Sequence, residues 1–260
     1  MLSCAHLWMI RFLNKSILLI LCCFAINAQA AVPIFGNTVE ILDPLQFPSF
    51  CNISLINSEG ISQSCSAALI GAKKIVTSRH CIPPSFDLKK DLILIACGNQ
   101  SWDEAAKIEV LPAIHSVNAS DDLALIELLE KTTLPTLSIT RYPSLYFSLN
   151  GRLQKNVKCS VYGYGKNLNP AQTGKLQRLQ INPQANFLFS PDGFLELSHL
   201  ENNSVQYGDS GGALLCQIGN QTPELVAVTS SFGSDSVTQK VVWNRFTPVF
   251  IPYNLSFLVR

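Results

Sequence analysis

From about residue 45 the apolar positions fall into short runs, each cut off by glycine, proline, asparagine or serine. Runs at 53–56, 67–70, 74–77, 92–96, 108–111 and 123–128 form one series; runs at 157–162, 176–181, 214–216, 225–229 and 240–243 form another. Many of their residues are β-branched, and no amphipathic period of 3.6 residues persists beyond two turns. Short strands at this spacing predict an all-β sandwich or barrel architecture. Around 134–143 two prolines and several serines and threonines interrupt the pattern. The break predicts two β modules, residues 34–140 and 141–260, with no repeat or low-complexity tract.

The first thirty residues do not share that pattern. Arg11 and Lys15 precede an uninterrupted apolar stretch at 17–26, and Ala28-Gln29-Ala30 follows as a small-x-small cleavage site. So short a stretch cannot span a bilayer as a helix. Residues 1–30 therefore predict an export signal, leaving a secreted chain (periplasmic in a two-membrane bacterium) without a stable membrane anchor. The rest of the 260 residues suffices for one large or two small β domains. Cys4, Cys22 and Cys23 leave with the signal; Cys51, Cys65, Cys81, Cys97, Cys159 and Cys216 remain. An even set in an exported chain predicts disulfides. No CxxC pair or histidine-interleaved spacing points to a metal, so none is expected. A net charge of +1 with 14% charged residues gives no footprint for nucleic acid or an anionic membrane. Oligomeric state is not encoded in any feature of the sequence.

The candidate chemistry begins with Gly208-Asp209-Ser210-Gly211-Gly212, a serine on a glycine-rich turn. A serine hydroxyl is a poor nucleophile until a base, itself oriented by a third group, takes its proton. His80 lies immediately before Cys81, and Asp122 opens the apolar run Leu123-Ala124-Leu125. The order His, Asp, Ser is that of one convergent triad arrangement. His115 and His199 stand in no comparable context.

These stretches resemble the chymotrypsin-type (trypsin-like) serine protease family from residue 34 to about 246. Cys65-Ser-Ala-Ala-Leu-Ile and Val76-Thr-Ser-Arg-His-Cys81 are similar to its Cys-Gly-Gly-Ser-Leu-Ile and Val-Leu-Thr-Ala-Ala-His-Cys. Asp122-Leu-Ala-Leu is similar to Asp-Ile-Ala-Leu and selects Asp122 over Asp121. Cys159-Ser-Val-Tyr-Gly-Tyr-Gly165 resembles Cys-x-x-x-Gly-Trp-Gly, and Ser231-Phe232-Gly233 resembles Ser-Trp-Gly. The resemblance implies two six-stranded antiparallel β-barrels with the active site in the cleft between them. It implies an endopeptidase acting on protein or peptide substrates through an acyl-enzyme, without cofactor. His80 would be the general base, Asp122 its orienting carboxylate and Ser210 the nucleophile. The N–H groups of Gly208 and Ser210 would form the oxyanion hole.

Further expectations follow from the resemblance. Ser231 would hydrogen-bond near Asp122, with Phe232 and Gly233 lining the substrate strand. Asp209 would pair with a new α-amine at Ile34, within Ile34-Phe-Gly-Asn, once a short propeptide at 31–33 is removed. Cys65–Cys81 and Cys159–Cys216 match family bridges. Cys51 and Cys97 fall on segments that would be neighbouring strands, which predicts a further one. Ser204 would lie at the floor of the specificity pocket, where no carboxylate would meet a substrate Lys or Arg. Gln206 replaces a pocket cysteine. If Val242-Trp243-Asn244-Arg245 corresponds to Val-Tyr-Thr-Arg, Val241 replaces a wall glycine and narrows the pocket. Pro248 and Pro252 predict at most a short turn at the C-terminus. Two alternatives use the same chain: a protease-fold binding or adhesion protein with little turnover, and an esterase working through the same triad.

Overall fold

The structure, a computed structural model, describes residues 39–259 except 61, 112–120, 149–150, 168, 183, 199–203 and 237–240. The signal segment, Ile34, His115 and His199 lie outside the described residues.

Strand β1 (Val39–Ile41) opens the described chain. There follow β2 (Phe50–Ile56), β3 (Ser62–Gly71), β4 (Lys74–Thr77), β5 (Leu92–Cys97), β6 (Gln100–Trp102), β7 (Lys107–Val110) and β8 (Ala124–Glu127). Strands β2 to β8 form an antiparallel sheet in the order β6-β5-β2-β3-β4-β8-β7. The period-2 pattern is plain on β5, where Ile93, Ile95 and Cys97 are buried and Leu92 and Leu94 are exposed. Ile53, Leu55, Leu69, Ile75 and Ile126 join them in one apolar cluster.

The second sheet comprises β9 (Ser138–Ile139), β10 (Val157–Gly163), β11 (Gln177–Gln180), β12 (Asn186–Phe189), β13 (Leu195–Ser198), β14 (Ala213–Ile218), β15 (Glu224–Ser234) and β16 (Val241–Pro248), together with β1. Its order is β1-β11-β10-β14-β15-β16-β13-β12, with β9 parallel to β15. Val161, Leu179, Phe187, Leu197, Leu214 and Phe246 fill its interior. A third cluster joins the sheets: Phe50, Ala68 and Val76 pack with Tyr162, Ala213 and Val228. The Phe50 and Tyr162 rings stack there at 4.3 Å.

Three sequence expectations need correction. Among the described residues the sheets hold seven and nine strands rather than six each, because short pieces such as β6 and β9 add to them. β1 pairs with β11 rather than with the first sheet, so Val39–Ile41 belong to the second sheet. The C-terminus forms a real helix, α1 (Pro252–Leu258), and not merely a turn. Pro252 sits at its first position, where a missing N–H costs nothing and the fixed φ favours entry. Asn254 Nδ2 donates to Pro248 O at 2.7 Å, and Phe257 and Leu258 enter the shared cluster.

Candidate active site

The turn carrying Ser210 is held by its own backbone and by both sheets. Asp209 N–H donates to Gln206 O at 2.9 Å, and Gly212 N–H to Asp209 O at 2.8 Å. Gly211 N–H reaches Thr229 O on β15 at 2.8 Å, while Ser66 N–H of β3 reaches Ser210 O at 2.8 Å. Gly211 has φ +82°, and a Cβ there would lie 2.1 Å from Ser66 O. Only glycine satisfies both the left-handed backbone and that close approach. Among the described residues, the N–H groups of Gly208 and Ser210 find no acceptor.

His80 lies on a short helical turn, Arg79–Cys81, directly after β4. A Cys65–Cys81 disulfide fastens that turn to β3. Asp122 lies just before β8, which pairs with β4, so strand pairing brings the two side chains together. The Asp122 carboxylate accepts His80 N–H at 2.9 Å and His80 Nδ1 at 2.8 Å. Ser230 Oγ donates to it at 2.6 Å. Burial alone would raise this carboxyl, but the hydrogen bonds and charge of His80, with the Ser230 hydroxyl, hold it below the usual carboxylate range. An ionised carboxylate only accepts, so Nδ1 carries a proton; in the neutral ring Nε2 is then the acceptor.

Ser210 Oγ donates to Ser230 O at 3.4 Å rather than to His80. The serine that meets Asp122 is Ser230, not Ser231. A bulge between Thr229 and Ser231 takes Ser230 out of the β15–β16 ladder and turns its side chain to the carboxylate. Two adjacent serines gave the sequence no means of choosing. A cleft of 460 Å³ opens beside the pair, lined by His80, Asp122, Ser230, Ile82 and Phe194. Phe194, just before β13, is a contributor that sequence reasoning did not find; the Pro191-Asp192-Gly193 turn signal ahead of an alternating Leu-Glu-Leu-Ser was the available clue.

Asp209 points the other way, into the second sheet. Its carboxylate accepts Gly165 N–H and Gln206 N–H, each at 2.8 Å. Burial pushes its pKa up to about 7 against those two bonds. It borders a 10 Å³ void together with Val39, Gln177 and Ser204.

Of the residues expected to line a substrate pocket, Ser204 is buried; its Oγ donates to Val205 O at 3.2 Å and accepts Gln206 Nε2 at 2.9 Å. Val205 N–H donates to Asn244 Oδ1 at 3.1 Å. Val241 pairs with Ser234, and the residue opposite Gly233 is Trp243. A Cβ on Gly233 would lie 2.2 Å from the indole Cε2, so the indole covers that glycine. The register across the bulged strand thus carries Trp243, rather than Val241, to the face of Gly233. Phe232 meets Tyr207 edge-on at 5.3 Å, and Lys166 Nζ lies 5.4 Å from the Tyr207 ring. Disulfides also join Cys51 to Cys97 across β2 and β5, and Cys159 to Cys216 across β10 and β14.

Two curled antiparallel sheets that meet beside a hydrogen-bonded Asp–His pair and a glycine-flanked serine define the two-barrel chymotrypsin class of fold. The chain belongs to the trypsin family, whose family model matches residues 43–254. It is 29% identical to the chymase of Papio hamadryas over 214 residues, covering 77% of this chain and 81% of that protein. The chymase of Macaca fascicularis is likewise 29% identical, over 210 residues, covering 74% and 80%. Among solved structures, the scabies mite inactivated protease paralogue S-I1 superposes with a TM-score of 0.60 at 16% identity, covering 85% of this chain and 96% of that one. At that identity the likeness concerns the fold alone. Family membership makes the chain a serine-type peptidase at family level.

Proposed function

We propose that the chain is an exported serine endopeptidase that hydrolyses peptide bonds through an acyl-enzyme on Ser210. The observation that carries this reading is the Asp122 carboxylate receiving His80 N–H, His80 Nδ1–H and the Ser230 hydroxyl. That arrangement fixes the tautomer in which Nε2 can accept the Ser210 proton and later return it to the leaving amine. Asp122 stays ionised and stabilises the imidazolium formed in between. The N–H groups of Gly208 and Ser210, without acceptors among the described residues, suit the oxyanion of the tetrahedral intermediate. In the free protein Ser210 Oγ donates to Ser230 O, and the bond to His80 that completes the set belongs to the substrate complex, where such bonds often tighten.

Cleavage after Lys or Arg is not favoured, because Ser204 offers no negative charge and already bonds Gln206 and Val205. Trp243, lying on Gly233, narrows the pocket towards small or medium apolar side chains. Val39, on β1 a few residues beyond Ile34, borders the void beside Asp209. That proximity supports an α-amine at Ile34 as the partner of the Asp209 carboxylate after removal of 31–33.

Labelling of the secreted protein by a fluorophosphonate at pH 7.5, absent in Ser210→Ala, together with peptide-library profiling, tests the reading. Labelling with turnover of amide bonds is expected. No labelling would sink it in favour of a protease-fold binding protein, and ester turnover without amide turnover would favour the esterase. A strong preference for Arg would overturn the pocket assignment.

A further inference from the structure

Ser66, on β3 next to Cys65, is almost wholly buried, and its hydrogen bonds converge on the nucleophile turn from the opposite sheet. Its Oγ donates to Gly208 O at 2.7 Å and accepts Tyr164 N–H at 2.8 Å. Its own N–H holds Ser210 O at 2.8 Å, and its carbonyl accepts Thr77 Oγ1 at 2.8 Å.

The loop that supplies Tyr164 grips the same turn at two further points. Gly165 N–H donates to Asp209 Oδ1 at 2.8 Å, and Lys166 N–H donates to Tyr207 O at 2.9 Å. The two peptide planes flanking Gly208 are thus both anchored: the first by Lys166 N–H on Tyr207 O, the second by the Ser66 hydroxyl on Gly208 O and by Asp209 N–H on Gln206 O. A trans peptide sets C=O and N–H antiparallel, so fixing Tyr207 O on one side leaves the Gly208 N–H directed to the other. Gly208 has φ +93° and no side chain to restrain it, so its setting depends on both planes; the second is held at its N–H end by Gln206 O and at its carbonyl end by the Ser66 hydroxyl.

We infer that Ser66 is a positioning residue for the oxyanion hole, its buried hydroxyl locking the Gly208 carbonyl to the 164–166 loop so that the Gly208 N–H stays aimed at the reacting carbonyl. The inference rests on the proteolytic reading of Ser210. Glycine, which the resembled motif carries at this place, lacks the hydroxyl; this chain adds a restraint that links the first sheet directly to the hole.

The test compares wild type with Ser66→Ala, Ser66→Gly and Ser66→Thr, using the peptide anilide that the library shows to be cleaved fastest. All rates are normalised to sites titrated by fluorophosphonate. A peptidyl boronic acid of the same sequence serves as the tetrahedral probe, since its adduct places an oxygen in the hole. Loss of one oxyanion donor costs roughly 10²–10³-fold in kcat, and misaiming a donor costs part of that. Ser66→Ala and Ser66→Gly should therefore lower kcat about 10- to 100-fold with KM changed less than threefold. Boronate affinity should weaken by the same factor as kcat/KM, and Ser66→Thr, which keeps the hydroxyl, should recover most of the loss. A kcat per titrated site within threefold of wild type in both Ala and Gly variants would overturn the inference, as would a loss carried by KM with boronate affinity unchanged. A wild type inert to both phosphonate and anilide overturns the proteolytic reading, and this inference with it.

Discussion

Replacing Ser230 with alanine removes one hydrogen bond from a carboxylate that is itself nearly out of solvent. The bond is 2.6 Å long, its acceptor is ionised, and the Asp122 side chain is only 14% exposed. Hydrogen bonds to charged groups contribute about 1.5–3 kcal/mol, and short charge-assisted bonds belong to the stronger class. For a unit of this size each kcal/mol moves Tm by about 2–4 °C, so Ser230→Ala should lower Tm at pH 7 by about 3–12 °C. Ser231→Ala, which leaves that bond intact, should stay within about 0.5 kcal/mol of wild type. The pH dependence supplies a separate check. Asp122 is held below the ordinary carboxylate range, so its contribution is present above the unfolded pKa and is lost as pH falls through the folded pKa. Without the Ser230 hydroxyl the folded pKa rises towards the ordinary value. The Tm gap between wild type and Ser230→Ala should therefore be widest near neutrality and close towards pH 3. Scanning calorimetry of wild type and both variants from pH 3 to 7.5 measures all of this. An effect of Ser231→Ala equal to or larger than that of Ser230→Ala, or a gap independent of pH, would refute the reasoning.

Three other expectations are open to direct measurement. Removing the Cys51–Cys97 bridge, whose cysteines lie 46 residues apart, should cost about 4 kcal/mol on the chain-entropy account; denaturant unfolding of the Cys51→Ala, Cys97→Ala double variant measures it, and a loss under about 1 kcal/mol would contradict the estimate. Asp209, pushed up to about 7 by burial, ionises in the unfolded chain first, so its contribution makes stability fall as pH rises from about 4 to about 7. That slope should appear in protein beginning at Ala31, vanish in Asp209→Asn and flatten in protein beginning at Ile34; equal slopes and equal activity for the two starts would discard the ion pair. Trp243→Ala, which uncovers Gly233, should extend cleavage to larger side chains at the scissile position, and an unchanged library profile would remove Trp243 from the pocket.

How far the sequence could be read depended on local regularity. Strand β4 was legible to the residue and β5 nearly so, because β4 is a short, almost wholly buried β-branched run and β5 alternates against a single buried face, each next to clear turn signals. β1 and β9 were not, since three- and two-residue strands carry too little pattern to register. The C-terminal helix was misjudged because Pro252 was treated as a breaker; at the first position of a helix it is a starter. His80 and Asp122 could be found from motif and order, and their separation in sequence is closed by the β4–β8 pairing. Ser66 could not be found so, because a serine in place of glycine inside a strand looks like a neutral change until the partners across the interface are known.

The bulge in β15 shows why the substrate side was harder to read than the catalytic side. Period-2 counting assigns faces correctly only while each residue has one partner, and one extra residue reverses the assignment beyond it. Here the partners run Thr229 with Phe246, then Ser231 with Arg245, with Ser230 left between them. The displaced residue is the one that reaches Asp122, so the irregularity is what brings the second sheet to the carboxylate of the first. Beyond it, Phe232 pairs with Asn244 and Gly233 with Trp243, which fixes how the wall strand meets its neighbour. A register that steadies Asp122 thereby also decides that an indole, rather than the Val241 side chain, lies against Gly233. The proposed chemistry and the proposed selectivity of this site therefore lie on one strand, the first at the unpaired Ser230 and the second in the ladder beyond it. Deleting Ser230 should lower kcat while leaving Gly233 opposite Trp243, whereas Trp243→Ala should alter selectivity alone, and kcat on the best substrate beside the library profile distinguishes the two.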